Sequence, residues 1–129
     1  MMVGDKFNKE FEVSKDIYDG FIKIFKDRNE LHTDRDFAKA KGFKSEVMHG
    51  NILNGFLSYF IGECLPIRNV IIHSQQIMYS RPVYLADNLR LSAECINVFE
   101  SVGALEFSFR FYNRDDMTVA KGKFQIGII

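Results

Sequence analysis

The second half of the chain is written in period two, and that pattern constrains what the first half must do. Leu89, Leu91, Ala93 and Cys95 alternate with Arg90, Ser92 and Glu94. Leu105, Phe107, Phe109 and Phe111 alternate with Glu106, Ser108, Arg110 and Tyr112. After a polar turn from Asn113 to Asp116, the rhythm returns at Ala120, Gly122, Phe124 and Ile126. Val70 to Tyr79 is rich in β-branched and aromatic residues, so it too reads as a strand. Such strands carry one apolar face each, and that face must be covered. Gly50 to Cys64 offers the cover, because Ile52, Leu53, Phe56, Leu57, Phe60 and Ile61 form a wide apolar face at helical spacing. The fold class is therefore α+β: helices first, then a strand meander, with an antiparallel β-sheet wrapped around a long central helix.

The remaining elements follow from local signals. Phe7, Phe11 and Val13 predict a short strand. Ser14 is a fair N-cap for a helix carrying Ile17, Phe21, Ile24 and Phe25, which should stop near Lys26. Thr33 followed by Asp36 has capping spacing, and a short helix from about Asp34 should end at Gly42. Asn51, Gly55, Ser58 and Gly62 form a stripe of small residues along the central helix, read mainly as a place where sheet backbone packs closely. No low-complexity linker or repeat divides the chain, and Pro66 and Pro82 fall between elements, so residues 1–129 read as one domain.

Composition excludes several functions. Seventeen acids balance seventeen Lys and Arg, with no block of like charge, which argues against a nucleic-acid or membrane-surface partner. No run approaches a membrane span, and the N-terminal stretch MMVGDKFNKE has no apolar signal core. Cys64 and Cys95 lack metal-ligand spacing and read as free buried thiols, which suits a cytoplasmic protein. His49 and His73 share no metal spacing with the acids, so neither a metal nor a cofactor is expected.

The stretch FKDRNELHTD is different in kind: Asp27, Asn29 and His32 crowd into six residues. On one continuous helix, Asp27 and His32 would be separated by about 140° of rotation. In extended chain they would stand roughly 17 Å apart. They meet only if the chain turns between them, and Asn29 suits that turn. An acid beside an imidazole is a common arrangement for proton transfer near neutral pH.

These residues resemble the hydratase signature of the MaoC-like hot-dog family, which includes the (R)-specific enoyl-CoA hydratases. That signature reads roughly G-D-x-N-P-[LIV]-H followed by a small residue. Asp27, Asn29, Leu31, His32 and Ala38 match it. Gly4-Asp5 resembles the family opening, and His49-Gly50 resembles the pair that starts the central helix. Ser58 stands where the family's hydratases carry a serine, and Leu65-Pro66 matches the helix exit. Gln75, Tyr79, Pro82-Val83 and Asp87 match a further pattern in register. Three positions depart: Lys26 and Ala86 replace glycines, and Glu30 replaces the proline. Glycine would ease a helix exit and proline would stiffen the turn, so the first and third changes bear on the acid–imidazole geometry.

The resemblance implies a hot-dog fold and reversible syn hydration of trans-2-enoyl thioesters to (R)-3-hydroxyacyl thioesters. It implies Asp27 and His32 acting jointly on a water and the proton transfers, with Asn29 orienting one of them. The N–H of Gly50 would bond the thioester oxygen, and Ser58 would bond the same region or shape the acyl channel. His49 is read as an anchor for the helix start. The implied partners are an acyl-CoA or acyl-carrier-protein thioester and a second copy of the chain in a homodimer. The alternatives are an acyl-CoA thioesterase on the same fold and a non-catalytic acyl-thioester-binding subunit. The thioesterase is disfavoured because the central helix offers only Asn51, Asn54 and Ser58 in its body, and Glu63 near its end.

Overall fold

The apolar phase of the C-terminal strands is sequestered: Leu91, Cys95, Phe107, Phe111, Ala120 and Ile126 have no exposed surface. The computed structural model describes residues 1–129 and arranges five strands in one antiparallel sheet. These are β1 (Lys6–Glu12), β2 (Val70–Tyr79), β3 (Asn88–Phe99), β4 (Ala104–Tyr112) and β5 (Thr118–Ile128), in the spatial order β1-β3-β4-β5-β2. The meander expected from the sequence holds only for β3, β4 and β5. β2 lies instead at the far edge beside β5, with Val70 opposite Ile128 and Tyr79 opposite Ala120. β1 closes the other edge against β3, with Phe7 opposite Ala93. Alternation tells which residues face the core; it does not tell which strand is the neighbour, and here that neighbour is the last strand.

The sheet wraps α4 (Asn51–Tyr59), whose Leu53, Leu57, Phe60 and Ile61 side join a 23-residue core. The helix runs on to Cys64 as expected, but its last stretch, Phe60–Cys64, is a π-helical turn. Leu65 then goes extended, as a residue before proline must, and the helix ends. The small stripe does not meet the sheet. Asn51, Gly55, Ser58 and Gly62 are all exposed, and a Cβ added at Gly55 or Gly62 would meet nothing within 4 Å. Small residues tolerate either side of a helix, whereas the apolar set has to be buried, so the apolar set took the sheet. Of the two free cysteines, Cys95 is buried and Cys64 only half-buried.

Three short helices precede α4. α1 (Lys15–Phe25) starts where Ser14 Oγ accepts from the Ile17 N–H at 3.2 Å. α2 (Glu30–Thr33) is capped by Asn29, and α3 (Arg35–Ala40) is capped by Asp34, whose carboxylate accepts from the Phe37 N–H at 3.1 Å. The expected Thr33–Asp36 box is thus displaced by one residue. Thr33 instead ends α2 and donates its hydroxyl to the carbonyls of Arg28 and Asn29.

The glycine and proline departures leave the backbone course in place. Lys26 takes the left-handed conformation at φ 61°, ψ 21°, and its N–H donates to the Ile22 carbonyl at 2.8 Å. Ala86 does the same at φ 71°. Glu30 occupies the first helical position of α2, where proline fits because the N–H has no helical acceptor. Glutamate serves there by placing negative charge at the helix N-terminus. A left-handed residue with a Cβ costs about 1 kcal/mol.

Two stability measurements of opposite sign follow, both by urea denaturation. Lys26→Gly is expected to stabilise the chain by up to about 1 kcal/mol by relieving that strain. Phe107→Ala removes a fully buried ring stacked on Phe124 at 4.8 Å, and is expected to destabilise by about 3–5 kcal/mol.

Candidate functional site

The bend that brings acid and imidazole together is built from backbone caps. The left-handed Lys26 ends α1 and turns the chain into Asp27. The Asn29 N–H donates back to Asp27 Oδ1 at 3.2 Å, and Asn29 Oδ1 accepts from the Leu31 N–H at 3.0 Å. Asn29 therefore orients Asp27 through its main chain while its side chain starts α2.

α2 is pinned from below. The Tyr18 hydroxyl lies 2.7 Å from the His32 carbonyl and 3.2 Å from the Val47 carbonyl, donating to both. Burial pushes the Tyr18 phenol up to about 12, with Glu46 adding to the rise, so it stays a donor. The Val47 N–H donates to the Leu31 carbonyl at 3.0 Å. His32 Nδ1 stands 2.6 Å from the Val47 carbonyl. A carbonyl only accepts, so Nδ1 carries a proton, and in the neutral ring the lone pair is on Nε2.

His49 completes the cluster, beyond the anchoring role read from sequence. It is 2% exposed, and its Nε2 lies 2.8 Å from the Asp27 carbonyl and 3.8 Å from Asp27 Oδ2. Its ring stacks on His32 with centroids 3.8 Å apart and planes 24° apart. Burial pushes the His49 pKa down; the bond to the Asp27 carbonyl opposes this and the neighbouring His32 reinforces it. Asp27 and His49 are twenty-two positions apart, and no periodicity links them.

Asp27, His32 and His49 each place one possible metal ligand atom within 4.8 Å of the others, a grouping that sequence spacing did not show. The two rings, however, are stacked face to face with planes only 24° apart, and an ion cannot easily lie in the plane of both at once. His32 Nδ1 and His49 Nε2 are also already engaged with carbonyls. The arrangement suits a water between the Asp27 carboxylate and His32 better than a metal.

Gly50 lies at the N-terminus of α4, and its N–H finds no acceptor within the chain. The Tyr79 ring packs against it, 3.0 Å from where a Cβ would stand. Gly50 and His32 line one cavity of about 370 Å³, together with Met48, Leu53, Tyr79 and Val83. Asp27 opens instead to the rim of a larger groove of about 1230 Å³, walled by Phe11, Ile17, Phe21, Ile24 and Phe25. Ser58 lies on the exposed face of α4 and lines neither space. One polar feature beside the site escaped the sequence reading: Asn54 links Gln75 at 3.1 Å to the Tyr79 hydroxyl at 3.4 Å. Gln75 and Tyr79 sit four apart on one strand, but Asn54 joins them only through the tertiary fold.

Known proteins share this architecture. An (R)-hydratase from A. caviae involved in PHA biosynthesis superposes with a TM-score of 0.91 at 22% identity, covering 100% of this chain and 98% of that one. The R-hydratase PhaJ1 of Pseudomonas aeruginosa gives a TM-score of 0.89 at 25% identity, covering 99% and 82%. The fold is thus the hot-dog fold. In sequence, the chain is 24% identical over 103 residues to an (R)-specific enoyl-CoA hydratase of Aeromonas caviae, covering 80% of this chain and 77% of the relative. It is 24% identical over 126 residues to a mitochondrial 3-hydroxyacyl-[acyl-carrier-protein] dehydratase of Arabidopsis thaliana, covering 95% and 75%. The profile of the MaoC like domain spans residues 4–106, from just before β1 into β4, and the chain belongs to the MaoC-like family.

Proposed function

We propose that the chain is a hydro-lyase that adds water reversibly to trans-2-enoyl thioesters, giving (R)-3-hydroxyacyl thioesters. The observation that carries this reading is the convergence of Asp27 and His32 to within 4.8 Å, with His32 and Gly50 lining one cavity and Asp27 opening to the larger groove. In the hydration direction, a water held by the Asp27 carboxylate and His32 Nε2 attacks C3 and gives up a proton to the pair. C2 receives a proton from the same pair. Negative charge develops meanwhile on the thioester oxygen. Both groups face the same water, so base and acid are not divided between them. The Gly50 amide, unpaired and at the positive end of α4, bonds that oxygen most strongly when it is most negative. A donor of this kind contributes about 3 kcal/mol in the transition state.

The thioesterase alternative lacks its acid. Glu63 is paired with Arg68 at 2.8 Å at the far end of the helix from Gly50. The carrier of the acyl group, CoA or acyl carrier protein, is held outside this chemistry.

The reading includes a homodimer. β2 pairs only with β5, so its outer edge is open, and Ile71 and Met78 on it are exposed. An open apolar edge invites a second strand. Edge-to-edge pairing of two β2 strands would cover it, and Ser58 is assigned to the wall that the second subunit closes.

Loss of crotonyl-CoA absorbance tests the activity. Wild type should turn over, while Asp27→Asn and His32→Ala should each lower kcat by about 10²–10⁴-fold with an unchanged circular dichroism spectrum. Saturated acyl-CoA should not be hydrolysed. Binding without turnover in the wild type would leave the non-catalytic binder standing. Light scattering tests the dimer: the wild type should show twice the chain mass, and Ile71→Lys with Met78→Lys should halve it.

A further inference from the structure

Resting on the hydratase reading, we propose that His49 is a positioning residue that locks Asp27 and His32 into one geometry. Its Nε2–H holds the Asp27 main chain, and its ring face holds the His32 imidazole.

Each member of the acid–imidazole pair makes a single side-chain hydrogen bond of its own, for Asp27 the 3.2 Å bond that Oδ1 accepts from the Asn29 N–H. His32 has one ring contact with the protein's polar groups, the 2.6 Å bond from Nδ1 to the Val47 carbonyl. A single bond leaves the ring free to swing about it. The stack on His49, at 3.8 Å and 24°, removes that freedom. Asp27 lies in a bend with an exposed side chain, and the 2.8 Å bond from His49 Nε2 ties its carbonyl to the start of α4. His49 itself is held from α1, by Phe21 at 4.7 Å and the Tyr18 ring at 6.1 Å.

The position asks for a flat ring with a donor on its edge, and it asks for one tautomer. Nε2 faces a carbonyl and must carry the proton. Nδ1 is buried with no partner. A second proton there would find no acceptor, so the ring stays neutral and Nε2 always donates. The titratable groups that face it are His32 from α2, Asp27 from the α1–α2 bend and the Tyr18 ring from α1.

Two variants separate the two functions. His49→Phe keeps the ring and loses the donor. It should lower kcat on crotonyl-CoA about tenfold with KM within about twofold, and leave the His32 ring ordered. His49→Gln keeps a donor and loses the ring. It should lower kcat with KM again within about twofold, and broaden or split the His32 Cε1–H resonance in the NMR spectrum as the imidazole swings about its one remaining bond. If both variants fold with wild-type kcat and an unchanged His32 resonance width, His49 only anchors the helix and the proposal falls. If the wild type does not hydrate crotonyl-CoA but His49→Gln still broadens the His32 resonance, the positioning role stands and the hydratase reading fails. Nitrogen-15 shifts of wild-type His49 give a check that needs no variant. A neutral ring protonated at Nε2 at neutral pH supports the proposal, and a ring protonated at Nδ1 alone overturns it.

Discussion

Everything in this molecule depends on the burial of one side of α4 against the apolar face of the sheet. Leu53, Leu57, Phe60 and Ile61 have almost no exposed surface, and they share one buried core with Phe107, Phe111 and Phe124 from the strands. That contact fixes the helix axis and therefore its N-terminus. It also fixes which side of the helix looks out, and so leaves the Asn51–Gly55–Ser58–Gly62 stripe uncovered. The Gly50 amide ends up free at the edge of a cavity because Gly50 stands at the cap position, where the N–H points away from the helix and has no carbonyl of the preceding turn to bond.

The second dependence is local. A left-handed turn at Lys26, an Asn29 cap and the Tyr18 hydroxyl convert a run of ordinary loop residues into a rigid bend. These bonds end on backbone groups, and they leave Asp27 Oδ2 and His32 Nε2 without a hydrogen-bond partner in the chain. The core and the bend meet at His49, which starts the central helix with its main chain and touches both members of the pair with its ring. Core packing thus sets the position of the polar site through one buried residue.

The changes at Lys26, Glu30 and Ala86 show how a backbone path survives the loss of its usual residues. Two positions hold positive φ with a Cβ present, and the strain is carried because the surrounding bonds determine the path. A sequence comparison sees three lost signals at these places. The structure sees the same caps made by less favourable residues.

Much of the fold was legible in the sequence, because burial follows periodicity. The inward residues of β3, β4 and β5, the span of β2, the apolar face of α4 and the Ser14 cap are all local patterns of period two, period 3.6 or cap spacing. The need for a bend between Asp27 and His32 was also legible, since helix and strand geometry both forbade their meeting. Only the tertiary structure decided that β2 pairs with β5 and that the small stripe faces outward. Only it brought His49 against Asp27 and His32, and Asn54 against Gln75 and Tyr79. The physical reason is common to all four: each follows from which distant segments come together to cover the apolar surface, and local sequence carries no record of which distant neighbour will supply the cover.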